Sequence, residues 1–317
     1  MELRLVDLPP GRNELYADSR TEFGTAVKND SRVAVVRLWN NRGEGFLDAL
    51  FRRIERVHEV LPIDGLVLSF NGNKDQGQAS ATLDSVRFPT EFPVKVMEVI
   101  GDPSVREWTS TANGPVAYFV NHLGIRKGHI WYISGDVEID LESLRRAVPL
   151  MDMGLPMPFV SVRKEPAHLA PEGDVRHWVN QAKAALIEIR DEYQHRGNLA
   201  ARLYQLPIYL QRVARNTCQM WNLAHLIKRE GFDPRCNPWL GQEDTAYLIW
   251  LMCCMGLNLD VPVVEYRDPN LFLTDSKAIE NQRNKIEAEA GAIRRIIEEY
   301  IIHGGMQIPV PDFNWNI

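Results

Sequence analysis

The strongest constraint on this chain is an alternation. Between Arg32 and Asp136, apolar runs of strand length take turns with segments of helical period. Val33, Ala34, Val35, Val36 and Leu38 form the first run. Near-continuous apolarity over so few residues fits a parallel strand buried on both faces. Gly43 and Gly45 follow, and then Leu47, Leu50, Phe51, Ile54 and Val57 recur at the three-and-four spacing of one helix face. Residues 65–70, 94–100 and 129–134 read as further strands. Pro115 fits the first turn of a helix whose stripe is Val116, Phe119, Val120 and Leu123. Strand and helix in turn predict an α/β fold: a doubly wound, Rossmann-like, mostly parallel sheet flanked by helices. Ligands of such sheets bind beyond the carboxyl ends of the strands, so the chemistry is expected just after each strand.

The flanks are less regular. Residues 1–31 are polar and weakly patterned and read as an N-terminal extension, with regular structure starting at Arg32. Residues 159–163 and 217–221 suit strands, and 259–266 suits an extended segment. Val175, Trp178, Val179, Ala182, Leu186, Ile189 and Tyr193 mark an amphipathic helix closed by Gly197. Residues 243–255 are apolar nearly all round and read as a buried helix. A last helix over 276–302 stops at Gly304 and Gly305, giving a helical C-terminal addition over 267–317.

Composition removes several classes. Hydrophobic residues are 45% and charged residues 25%, which is globular rather than disordered or fibrous. Lys and Arg number 36 against 42 Asp and Glu, for a formal net charge of −6, which argues against non-specific binding to nucleic acid. No apolar run approaches the roughly 18 residues of a spanning helix, and the N-terminus carries no secretory pattern. The four cysteines, Cys218, Cys236, Cys253 and Cys254, form no C-x-x-C pattern, so reduced thiols in a cytoplasmic protein are expected.

The dinucleotide glycine fingerprint, the P-loop, the nucleophile elbow and the H-E-x-x-H zinc motif are all absent from the sequence. Acidic residues at element ends are what is left. Ser134-Gly135-Asp136-Val137-Glu138 follows the fourth apolar strand. Two carboxylates separated by one residue suit a hard divalent cation that keeps positions open for phosphate oxygens. The alternative is a solvated loop in which Asp140 caps the next helix. Further on, Trp239-Leu240-Gly241-Gln242-Glu243-Asp244 opens the buried helix. Carboxylates are favoured there by the helix dipole, or one of them takes a proton from an attacking hydroxyl.

In this order, over about 32–266, the pieces resemble the nucleotide-sugar glycosyltransferases of the GT-A fold, especially the large inverting family 2 group. Residues 33–41, with Asn40 at the polar end, resemble that family's first strand. Ser69-Phe70-Asn71-Gly72-Asn73 resembles the second strand end, where the family usually has an acidic base-reading residue; here it is Asn71. The segment from Asn113-Gly114 to Asp136 resembles the approach to the metal motif, which ends in Glu138 rather than Asp. The resemblance implies a donor half over 32–140, an acceptor half over 141–266, and transfer of a sugar from a nucleotide-diphosphate sugar to an acceptor hydroxyl. It implies Asn71, Asn40, Asn113 and Asp136 around the donor, and Mg2+ or Mn2+ on Asp136 and Glu138. It also implies Asp244 as base beside Glu243, with inversion at the anomeric carbon. A late histidine ligates metal in some of these enzymes, which makes His303 a candidate third ligand; the competing reading is a histidine stabilised by a helix C-terminus. Trp239 suits acceptor stacking, and Arg202, Arg212, Arg215, Lys228 and Arg229 suit a solvated basic face. The acceptor is open: a glycan, a metabolite, a protein or a modified nucleic-acid base. Two alternatives accompany this reading. One is a nucleotidyltransferase of related fold, which should place a glycine-rich loop with a Lys or Arg after the first strand; Asn40-Asn41-Arg42-Gly43-Glu44-Gly45 is a faint version. The other is a non-catalytic nucleotide-sugar-binding module.

Overall fold

A computed structural model describes residues 2–6, 19–38, 45–72, 89, 91–100, 107–135, 137–163, 191, 218–228 and 262–267. In chain order the elements are β1 (Glu2–Val6), α1 (Ser19–Ala26), β2 (Arg32–Leu38), α2 (Phe46–His58), β3 (Gly65–Asn71) and β4 (Val94–Ile100). Then come α3 (Glu107–Asn121), β5 (His129–Ser134), β6 (Glu138–Ile139), α4 (Leu141–Ala147) with a 3-10 turn at Val148–Leu150, β7 (Val160–Arg163), β8 (Cys218–Asn222), α5 (Leu223–Lys228) and β9 (Val263–Arg267).

The expected sheet is there. Six strands run in the order β1-β4-β3-β2-β5-β8. The four central ones are parallel, and the two edges, β1 and β8, are antiparallel. A second sheet of three strands, β6-β9-β7, lies beyond β5 in sequence. The apolar runs form the central strands because both faces are covered. Ala34, Val36, Leu38, Leu66, Leu68 and Phe70 meet Leu47, Leu50, Phe51, Ile54 and Val57 of α2 in one buried cluster. Each of these side chains larger than Ala34, fully buried, contributes about 1.5–3 kcal/mol.

Two expectations are corrected. Regular structure begins before Arg32: β1 extends the sheet, with Glu2 opposite Ile100 and Val6 opposite Val96, and α1 precedes β2. Pro115 is not in a first turn; α3 begins at Glu107 and carries Pro115 inside it. An interior proline removes the N–H that would bond the carbonyl four residues back. That carbonyl is Thr111 O, and the Ser69 hydroxyl donates to it at 2.8 Å. Next to it, the buried Tyr132 hydroxyl donates to Ala112 O at 2.7 Å. The sheet thus supplies donors at the point where the helix lacks one. Gly114 lets α3 come close: a Cβ there would lie 2.6 Å from Val99 Cγ2 on β4.

The strand expected over 217–221 is β8, shifted by one residue, and the segment expected over 259–266 overlaps β9, which runs one residue further. The helices expected over 243–255 and 276–302 lie outside the described residues, as does that over 175–193 apart from Asp191, which is helical.

Candidate functional site

The chain steps from β2 through α2 to β3 and on to β4, and then returns across α3 to β5 on the other side of β2. Neighbouring strands β2 and β5 therefore lead away in opposite directions, which makes their carboxyl ends a topological switch point. Leu38 and Ser134 end those strands, and Gly135 follows.

Alternation along each strand separates two sets of side chains. Leu38 and Phe70 turn to α2. Arg37, Ser69, Asn71 and Tyr132 turn the other way, as the hydroxyl bonds from Ser69 and Tyr132 to α3 establish. The α3 side near the carboxyl ends is polar and almost dry: Arg37 is 2% exposed and Asn71 1%, while Ser69, Thr111 and Asn113 are fully buried. The Arg37 guanidinium lies 5.9 Å from the centre of the Tyr132 ring. Burial pushes the Tyr132 hydroxyl well above the usual tyrosine value, and the smaller pull of Arg37 acts downward. The hydroxyl therefore stays protonated and serves as a donor.

Of the predicted donor residues, Asn71 is buried at the end of β3 and Asn113 is buried in α3. Asn113 is inside the helix rather than in a loop. Glu138 is exposed at the start of β6, with Oε1 4.0 Å from Arg56 Nη2 on α2. Asp140 does cap α4, its Oδ2 accepting from Ser143 N at 2.9 Å. Asn40, Asp136, Trp239, Glu243, Asp244 and His303 lie outside the described residues. Among the described residues no three His, Cys, Asp or Glu side chains gather as a metal site, so Glu138 is the single predicted ligand whose surroundings can be read.

Sequence reasoning singled out Asn71 and Asn113 but missed Arg37, which is buried on the same side of the sheet as Asn71. The available signal was one charge inside the otherwise apolar run Val33 to Leu38. Cys218 is buried packing, its thiol pushed up to about 11 by burial.

No protein-family model matches the chain, and no curated protein matches it. Among solved structures it is similar to 4-diphosphocytidyl-2C-methyl-D-erythritol synthase from Anaerococcus prevotii DSM 20548, at 8% identity over 81% of this chain and 96% of that one, with a TM-score of 0.39. A second structure of a 4-diphosphocytidyl-2C-methyl-D-erythritol synthase is similar at 10% identity, over 81% of this chain and 100% of that one, again with a TM-score of 0.39. No helix among the described residues is long and apolar enough to cross a membrane.

Proposed function

We propose that the chain is a nucleotide-dependent transferase that holds its nucleotide across the carboxyl ends of β2, β3 and β5. One observation carries this reading: a buried polar layer, Arg37, Asn71 and Asn113, stands at the switch-point end of an otherwise apolar parallel sheet. Burying polar groups costs stability unless they are satisfied. Their concentration at the edge where such sheets take ligands favours a ligand site there. Asn71 can donate and accept, which suits a base edge. Arg37 sets a fixed positive charge behind the position of the phosphates.

Within this class, the described residues support nucleotidyl transfer better than glycosyl transfer. A nucleotidyltransferase should place a glycine-rich loop with a Lys or Arg after the first parallel strand; residues 39–44 of that segment lie outside the described residues, and Arg37, one residue before the end of β2, is the described cation that leads into it. An acceptor oxygen would attack the α-phosphorus, the bond to the bridging oxygen would break, and pyrophosphate would leave. Glycosyl transfer rests on Glu243 and Asp244. Asp136 and Glu138 are proposed to hold Mg2+ or Mn2+, which when bound would neutralise phosphate charge; His303 as a third ligand belongs to the same proposal. So does the division into 32–266 and 267–317.

Calorimetry with nucleotides, with and without Mn2+, tests both readings. Preference for a nucleoside triphosphate supports nucleotidyl transfer. Metal-dependent affinity for a nucleoside diphosphate supports glycosyl transfer from a nucleotide sugar. No affinity for any nucleotide overturns the proposal.

A further inference from the structure

On the opposite, α2, side of the sheet a pocket of about 270 Å³ opens between α2, β6 and the end of β9. Its floor is apolar and includes Ile54 and Val137; its rim carries Arg53, Arg56 and Arg267. Arg53 and Arg56 are three residues apart on α2, so both project from one helix face. Among the described lining residues three guanidiniums meet two carboxylates, Glu138 and Asp140. Asp140 already caps α4. Glu138 reaches Arg56 only at 4.0 Å, with both side chains 54% exposed, a contact that water screens and that an anion can displace.

We infer that this pocket binds a small organic phosphate monoester. Guanidinium groups fit phosphate oxygens in a two-point manner and stay charged at every physiological pH. The apolar floor gives the organic part a surface to cover. The volume holds a small metabolite rather than a nucleotide. The pocket is on the far side of the sheet from Asn71, and of the residues placed in the transferase site above it shares only Glu138. The two regions meet at Gly135, whose carbonyl accepts from Arg53 Nη2.

The test is calorimetric titration of the full chain with glycerol 3-phosphate, inorganic phosphate and glycerol. Glycerol 3-phosphate is expected to bind, inorganic phosphate to bind more weakly, and glycerol not to bind. Arg56→Gln and Arg267→Gln should each weaken glycerol 3-phosphate about tenfold or more, the effect of one lost charge-assisted contact, and Asn71→Ala should leave it unchanged. Both arginines are exposed, so the unliganded melting temperature should hold in these variants. Absence of binding, affinity unmoved in the Arg56→Gln Arg267→Gln double variant, or loss in Asn71→Ala would overturn the site. Equal affinity for inorganic phosphate would overturn the ester assignment.

Discussion

The two faces of one sheet are built to different rules. Toward α2, strands β2 and β3 present Ala34, Val36, Leu38, Leu66, Leu68 and Phe70, all apolar and all buried. Toward α3, the same strands end in Arg37, Ser69 and Asn71, equally buried. The residues alternate along the same backbone, so strand geometry does not explain the difference. The α2 face is what a core wants. The α3 face gives up apolar contact for fixed polar groups, and it does so next to the switch point, which is why the nucleotide is proposed there.

The comparison breaks first, and most heavily, on the α2 face. Leu50 is 1% exposed and sits in the apolar cluster. Leu50→Ala should cost about 2–5 kcal/mol, the transfer loss plus the cavity, read by urea unfolding. A cost under about 1 kcal/mol would mean that this face is not the main source of stability.

The α3 face should respond through hydrogen bonds. Ser69→Ala leaves the buried Thr111 carbonyl without the donor described above and should cost about 1–3 kcal/mol. Pro115→Ala returns a backbone N–H to that carbonyl. In that background Ser69→Ala should cost clearly less, a coupling visible in a double-mutant cycle. Strictly additive effects would show that the serine does not substitute for the missing N–H.

A smaller effect belongs to the turn from β6 into α4. Asp140→Ala removes the N-cap of α4 and should cost about 1 kcal/mol, with Asp140→Asn or Asp140→Ser restoring most of it in thermal melts.

The smallest is a pH effect at the amino end of the sheet. His129 is buried, its Nε2 2.9 Å from Met153 O. Burial, the largest influence, holds its pKa below the usual histidine value of 6.5; the bond to Met153 acts upward, Arg32 downward and Asp30 upward. The unfolded chain therefore binds a proton more readily than the folded one. The stability contribution is complete above pH 6.5 and is lost as pH falls through the lower folded pKa. His129→Gln should flatten the pH dependence of stability in that range by less than about 1.4 kcal/mol per pH unit. An unchanged slope would remove His129 from it.

The sequence carried much of the fold because the central strands are simple. Val33 to Leu38 and 65–70 are apolar on both faces, and no alternative element accommodates them. It hid β1 because Glu-Leu-Arg-Leu-Val is short, carries two charges in five residues and is exposed or half-buried throughout, the pattern of an edge strand. It hid the start of α3 because a proline is normally a boundary, and the compensating donor, Ser69, is 42 residues from its acceptor. The buried polar layer was legible at Asn71, a polar residue closing an apolar strand. Arg37 was not, since only the finished sheet shows that its side chain is buried toward α3 beside Tyr132.

Nucleotide affinity in Asn71→Ala tests the central claim most directly. The wild-type chain should bind a nucleoside triphosphate, and Asn71→Ala should weaken it by about 1–2 kcal/mol, the cost of an unmet polar partner, while Leu50→Ala, measured where it is still folded, should leave it unchanged. Equal affinity in wild type and Asn71→Ala, or weakening by Leu50→Ala alone, would contradict the assignment of function to the α3 face.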